Sequence, residues 1–141
     1  MSTRPQRPQR KSKPRSFRLR PDRVPERLVL NAIMTYLTMH PQVSMVERVN
    51  VGLLKNPRNP NAWVGWSVRD VNGDPVRGKV DIQAVIRDTG RALLVECKSP
   101  DGAKLTPEQE AYRDAARAAG CIWAVVSSVD EMVLCLRMNG V

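Results

Sequence analysis

Apolar positions recur three and four residues apart early in the chain. Val29, Leu30, Ile33 and Leu37 share one face, Pro25 suits a first helical position, and Pro41 stops the run, which predicts a helix. Glu26 falls on that same face, so it is expected to point to the core side and not plainly to solvent. Residues 45–54 read as a strand, Asn56 to Asn61 as a loop, Ala62 to Val68 as a second strand, and Val71 to Pro75 as a turn. Val80 to Arg87 and Ala92 to Lys98 are two further strands joined at Asp88-Thr89-Gly90-Arg91, a predicted hairpin. Thr106-Pro107-Glu108-Gln109 has the form of a capping box, opening a helix that runs to Gly120. Cys121 to Val126 is wholly apolar, as expected of a buried strand, and a last helix covers about Val129 to Met138. Helices and strands in this order predict an α/β fold around a mixed sheet.

The hairpin gathers the polar residues that matter most. With Thr89-Gly90 as a two-residue turn, Asp81 lies opposite Lys98 and Gln83 opposite Glu96. Asp81, Glu96 and Lys98 then share one face. The other face takes Val80, Ile82, Ala84 and Ile86 with Leu93, Val95 and Cys97, and is uniformly apolar. Two carboxylates and an ammonium so placed have two readings. They are a salt-bridge cluster on a solvated sheet face, or an open site for Mg²⁺ or Mn²⁺, whose preference is for hard oxygen ligands. In the second reading Lys98 holds an attacking water or neutralises charge building on phosphorus. Without a cation the two acids repel, which raises the pKa of one of them.

These residues carry a resemblance. Gly78-Lys79-Val80-Asp81, then Glu96-Cys97-Lys98 after fourteen residues, resembles the PD-(D/E)XK nuclease signature. With Gly102-Ala103-Lys104-Leu105-Thr106-Pro107-Glu108-Gln109, Ala119-Gly120 and Val125-Val126-Ser127-Ser128-Val129-Asp130-Glu131, the chain is similar to the VRR-NUC branch, in particular its small stand-alone phage and bacterial type. The resemblance spans about residues 26–137. It implies a restriction-endonuclease-like core, a mixed central sheet flanked by helices in the order α-β-β-β-α-β-α. It also implies an Mg²⁺-dependent DNA endonuclease that leaves 5′-phosphate and 3′-hydroxyl ends. Asp81 and Glu96 match the metal-binding acids, the backbone carbonyl of Cys97 a further ligand, Lys98 the catalytic lysine, and Gln109 a catalytic glutamine at the start of the following helix. Gln109 also suits a simple cap of Thr106, and the two roles do not exclude each other. Glu26 matches an acid on the first helix, with Glu47 the competing choice. Val80 stands where the family name has Pro.

Length and charge refine this picture. The 141 residues suit one folded domain, and 42% hydrophobic with 26% charged residues is ordinary for a globular chain. No apolar run approaches the roughly 18 residues that span a bilayer, and no apolar stretch follows the N-terminal charges as in a secretory signal. Cys97, Cys121 and Cys135 sit singly in apolar surroundings, as reduced core residues do, and the expected location is the cytoplasm of a bacterial or phage-infected cell. The net charge of +9 is uneven: residues 1–25 hold nine Lys/Arg, five prolines and one acid. Residues 1–24 are therefore expected to form a disordered basic tail before a folded 25–141. Arg10, Lys11, Lys13, Arg15, Arg18 and Arg20 would grip a phosphate backbone without reading sequence; a solubilising or membrane-surface tail is the alternative. Arg77 and Lys79, beside the site, suit phosphate contact or edge-strand protection. Trp63 and Trp66 face opposite sides of their strand, one as core and the other for base stacking or a dimer contact, while Trp123 and Tyr112 suit packing. His40 suits a helix end. The partners expected are DNA and a second copy of the chain, with no membrane and no small-molecule cofactor. Branched junctions or flaps are the favoured substrates. A single-strand or linear-duplex nuclease, or a non-catalytic nucleic-acid-binding protein of the same fold, is the alternative.

Overall fold

The computed structural model describes residues 24–49, 52–56, 58–66, 69, 71–74, 76–102 and 104–141; for residues 52–56 and 60–66 it describes the backbone. The tail residues Arg10, Lys11, Lys13, Arg15, Arg18 and Arg20, and the disorder expected of them, lie outside the described residues.

The elements run α1 (Glu26–Met39), β1 (Val43–Arg48), β2 (Gly52–Asn56), β3 (Asn59–Trp66), β4 (Ile82–Ile86), β5 (Ala92–Cys97), α2 (Pro107–Ala118), β6 (Ile122–Val126) and α3 (Val129–Met138). Four strands form a mixed sheet in the order β1-β4-β5-β6, antiparallel except for the parallel β5–β6 pair. This is an α/β fold with five strands between the first two helices, where the residue pattern predicts four and the resemblance implies three. The run 45–54 is broken: β1 ends at Arg48, and Gly52 begins a separate antiparallel ribbon in which β2 pairs only with β3. The expected loop 56–61 shrinks accordingly, with Asn59 already in β3.

Each sheet face is closed by the helix whose apolar stripe matches it. On one side Val29, Leu30, Ile33 and Leu37 of α1 and Met132 and Leu136 of α3 pack on Ile82, Ala84, Ile86, Leu93, Val95, Cys97, Ile122, Ala124 and Val126. On the other, Ala116 of α2 meets Val80, Leu94 and Trp123, with Tyr112 edge-on to the Trp123 ring at 5.7 Å. β5, covered on both faces, is buried from Leu93 to Cys97, as an interior strand with few polar residues requires. β6 corrects its expectation in one respect: it is an edge strand, and Val125 is 42% exposed. Val80 is also corrected. It precedes β4 and packs on the α2 side, because the chain bends at Gly78 before the strand begins. Met138, Leu134 and Met39 point outward. His40 caps α1, its Nδ1 accepting from the Gln42 N–H, and its ring lies edge-on to Tyr36. The three cysteines are free thiols. Among the described residues, no helix is long and apolar enough to cross a membrane.

Ile33 has no exposed surface and joins α1 to the sheet. Ile33→Ala is expected to lower the unfolding free energy by about 2–5 kcal/mol. In urea this appears as a lower midpoint at unchanged slope.

Candidate active site

The β4–β5 hairpin sets the site. Ile82 lies opposite Val95, Gln83 opposite Leu94, Ala84 opposite Leu93 and Val85 opposite Ala92. The register is two positions away from the one expected, because the connection is longer than two residues. The Ile86 N–H reaches the Arg91 carbonyl, and the Gly90 N–H bonds back to Ile86 with Gly90 at φ +67°. A two-residue shift keeps the paired side chains of β4 and β5 on their expected faces, whereas a shift of one would have reversed them. The acids and the lysine are thus still brought together, but Asp81 is drawn toward Val95–Cys97 and away from Lys98. The Asp81 N–H donates to the Val95 carbonyl at 3.0 Å, and its carboxylate Oδ2 accepts from the Cys97 N–H at 2.8 Å.

Glu96 is the centre. It is 3% exposed, on the α2 side of the buried strand. Its Oε1 is 2.7 Å from Lys98 Nζ and accepts from Gln109 Nε2. Its Oε2 is buried with no hydrogen-bond partner. Burial pushes the Glu96 carboxyl above the usual carboxylate range. The Lys98 and Gln109 hydrogen bonds and the Lys98 charge oppose that rise, and the neighbouring Asp81 charge adds to it.

Gln109 caps α2 as expected and also contacts two of the candidate site residues. Its N–H donates to Thr106 Oγ1 and its Oε1 accepts from the Thr106 N–H, which completes the capping box. The same Oε1 accepts from Lys98 Nζ at 3.3 Å, while Nε2 faces Glu96. The cap therefore orients the amide that faces the site.

Gly78 explains why α2 can come so close. At φ +69°, a Cβ on Gly78 would lie 2.2 Å from the Glu108 carbonyl oxygen and 2.6 Å from the Gln109 nitrogen. The first turn of α2 rests directly on the Gly78 backbone, three residues before Asp81. The flanking Arg77 and Lys79 sit at this junction. Arg77 is exposed; hydrogen bonds from the Glu108 backbone and Thr106 hold the Glu108 carboxyl below its usual range, and the Arg77 charge adds a smaller pull. Lys79 is partly desolvated, which lowers its pKa against the opposing pull of Glu47.

The remaining acids are placed differently. Glu26 is exposed in the first turn of α1, not turned to the core, because the buried stripe begins only at Val29. Its charge still reaches Cys97. Glu47 lies exposed on β1 opposite Gln83 and faces Lys79. The Cys97 thiol is pushed up to about 12, by burial first and then by the Asp81, Glu96 and Glu26 charges. It remains a neutral core group, so only its backbone is open to a ligand role. Side chains at Trp63 and Trp66 lie outside the described residues. Sequence reasoning missed Ser99, which is buried and joins the Val24 carbonyl at 3.2 Å, tying the entry of the chain to the residue after Lys98. The sequence offered only a small hydroxyl residue directly after the lysine, with nothing local to mark its partner.

The donor set suits a hard divalent cation. Two carboxylates lie within electrostatic reach of each other, and one presents a buried oxygen without a partner. Among the described residues no three or more His, Cys, Asp or Glu side chains converge. Further coordination positions would therefore fall to a backbone carbonyl, water or substrate oxygen.

No family model, curated protein or solved structure matches this chain.

Two outcomes are expected. Asp81→Asn should lower the Glu96 pKa and Gln109→Ala should raise it, read by carboxyl ¹³C titration. The raised value means folded Glu96 holds its proton more tightly than the unfolded chain does. Its contribution to stability is therefore full at low pH and is lost as pH rises from the ordinary carboxylate range through the raised value. Separately, Gly78→Ala should destabilise well beyond Gly90→Ala, which shares the positive φ but meets nothing within 4 Å and should cost about 1 kcal/mol. Urea unfolding measures both, and the Gln109 side-chain amide resonances should shift only in Gly78→Ala.

Proposed function

We propose that the chain is a metal-dependent endonuclease that hydrolyses DNA phosphodiester bonds. The observation that carries this is the unpartnered, buried Glu96 Oε2 beside Asp81, with Lys98 and Gln109 engaging the opposite oxygen. Mg²⁺ or Mn²⁺ held by Asp81, Glu96 and the Cys97 carbonyl would supply Lewis-acid stabilisation and a more acidic water. The chain's own groups do the rest. Asp81 is held by the Cys97 N–H, so its free oxygen is fixed relative to Glu96. Lys98, 14% exposed at its side chain, can reach solvent and substrate while its charge stays beside the carboxylates. From there it orients the attacking water and offsets negative charge on the phosphoryl oxygens. Gln109 holds Lys98 and Glu96 in register by contacting both.

The charge distribution supports a polyanionic substrate. Val24 is fastened to Ser99, the residue after Lys98, and the sequence before Val24 carries nine cations. A homodimer and a preference for junctions or flaps belong to the same proposal and rest on the motif resemblance.

A second reading has its own observation. The 2.7 Å Lys98–Glu96 pair is also what a structural ion pair in a non-catalytic nucleic-acid-binding fold would show. One comparison separates the two: cleavage of a four-way junction, a flap, linear duplex and single-stranded DNA with Mg²⁺, with and without EDTA. The nuclease reading expects cleavage that needs the metal and falls about 10²–10³-fold or more in Lys98→Ala and Asp81→Ala. Equal cleavage by wild type and both variants would assign the activity to a contaminant.

A further inference from the structure

The ribbon β2–β3 is unlike the rest of the molecule. Among the described residues, the backbones of its two strands pair with each other and lie beside no other element. A lone two-stranded ribbon gains little stability by itself in water. Its sequence is also one-sided in charge. Between Glu47 and Asp70 the chain holds Arg48, Lys55, Arg58 and Arg69 and no acid, although residues 26–141 as a whole are nearly balanced. Asn56, Asn59 and Asn61 surround its tip, and two of the three tryptophans, Trp63 and Trp66, lie in β3.

Its root is at the candidate site. The Val49 N–H donates to the Asp81 carbonyl at 2.9 Å, and Gly52 follows three residues later. Three residues of chain span at most about 11 Å, so the ribbon starts within that distance of the Val49–Asp81 contact. β3, with eight residues, reaches roughly 26 Å.

From this placement we infer that β2–β3 is an arm that enters a groove of duplex DNA next to the phosphate presented to Asp81 and Glu96. A two-stranded ribbon fits the major groove, about 12 Å wide. Lys55 and Arg58 supply contacts to the flanking phosphates, and the tryptophans supply apolar contact with bases or sugars. The inference rests on the nuclease proposal for its geometry, since it names how that site's substrate is held.

The test measures binding, not cleavage. Full-length protein is titrated onto intact fluorescent duplex in EDTA at several salt concentrations. Lys55→Ala/Arg58→Ala should bind about tenfold or more weakly and flatten the slope of log Kd against log salt by about 2. Arg117→Ala/Arg137→Ala removes the same charge from the last turns of α2 and α3. It should change the slope far less. Intrinsic fluorescence gives a readout independent of charge. Wild type should change emission when duplex is added, and Trp63→Phe/Trp66→Phe, which keeps only the core Trp123, should not. Equal slopes in the two arginine/lysine double variants, or an unchanged response in the tryptophan variant, would overturn the arm. An equal loss of affinity for single-stranded DNA would overturn its placement in a duplex groove. Absence of Mg²⁺-dependent cleavage in wild type, with the slope and emission changes present, would remove the nuclease proposal and leave the arm as a DNA-binding element.

Discussion

A carboxylate taken out of water has to be compensated, and the architecture around Glu96 follows from that requirement. Glu96 lies in a strand buried on both faces, where an isolated charge would be far too costly. Lys98 and Gln109 satisfy one of its oxygens and leave the other without a partner. Asp81, close enough to raise the Glu96 pKa further, makes the arrangement still less suited to simple stability. A fold under selection for stability alone would do better with an apolar residue here. The incomplete compensation is what a divalent cation would complete.

The neighbouring structure holds this arrangement in place from both sides. β5 is the second strand from the edge, so its backbone is fixed by β4 on one side and β6 on the other. From above, α2 arrives with its first turn on the Gly78 backbone and its capping glutamine turned to the carboxylate. One residue thus caps the start of a helix and furnishes a polar contact to the site. One glycine, lacking a Cβ, lets the helix approach the segment that leads into Asp81.

Much of this was legible in the residues themselves. The three helices follow from apolar spacing and caps: the Val29–Leu37 stripe, Thr106 with Gln109, and Ser128 before Val129 all act where local chemistry decides. The face shared by Asp81, Glu96 and Lys98 was legible because strand periodicity is robust to an even shift. The shift itself was not, since the length of the 87–90 connection depends on Gly90 taking a positive φ, which Thr89-Gly90 alone does not specify. The break between β1 and β2 was hidden for a related reason. The alternation through 45–54 suits one long strand; in the fold the pairing with the β4 side extends to the Val49–Asp81 bond, and from Gly52 the chain pairs with β3 instead. Glu26 was misplaced because helical phase places a residue on a face but does not tell where the covering layer stops. Ser99 was missed because its partner, Val24, is seventy-five residues away in sequence.

The proposed chemistry requires Asp81 and Glu96 to hold a divalent cation jointly. Calorimetric titration of Mn²⁺ into the full chain tests it without reference to any nucleic acid. One Mn²⁺ per chain is expected, with affinity reduced about tenfold or more in both Asp81→Ala and Glu96→Gln. Mn²⁺ binding that is absent from the wild-type chain, or unchanged in both variants, would contradict it.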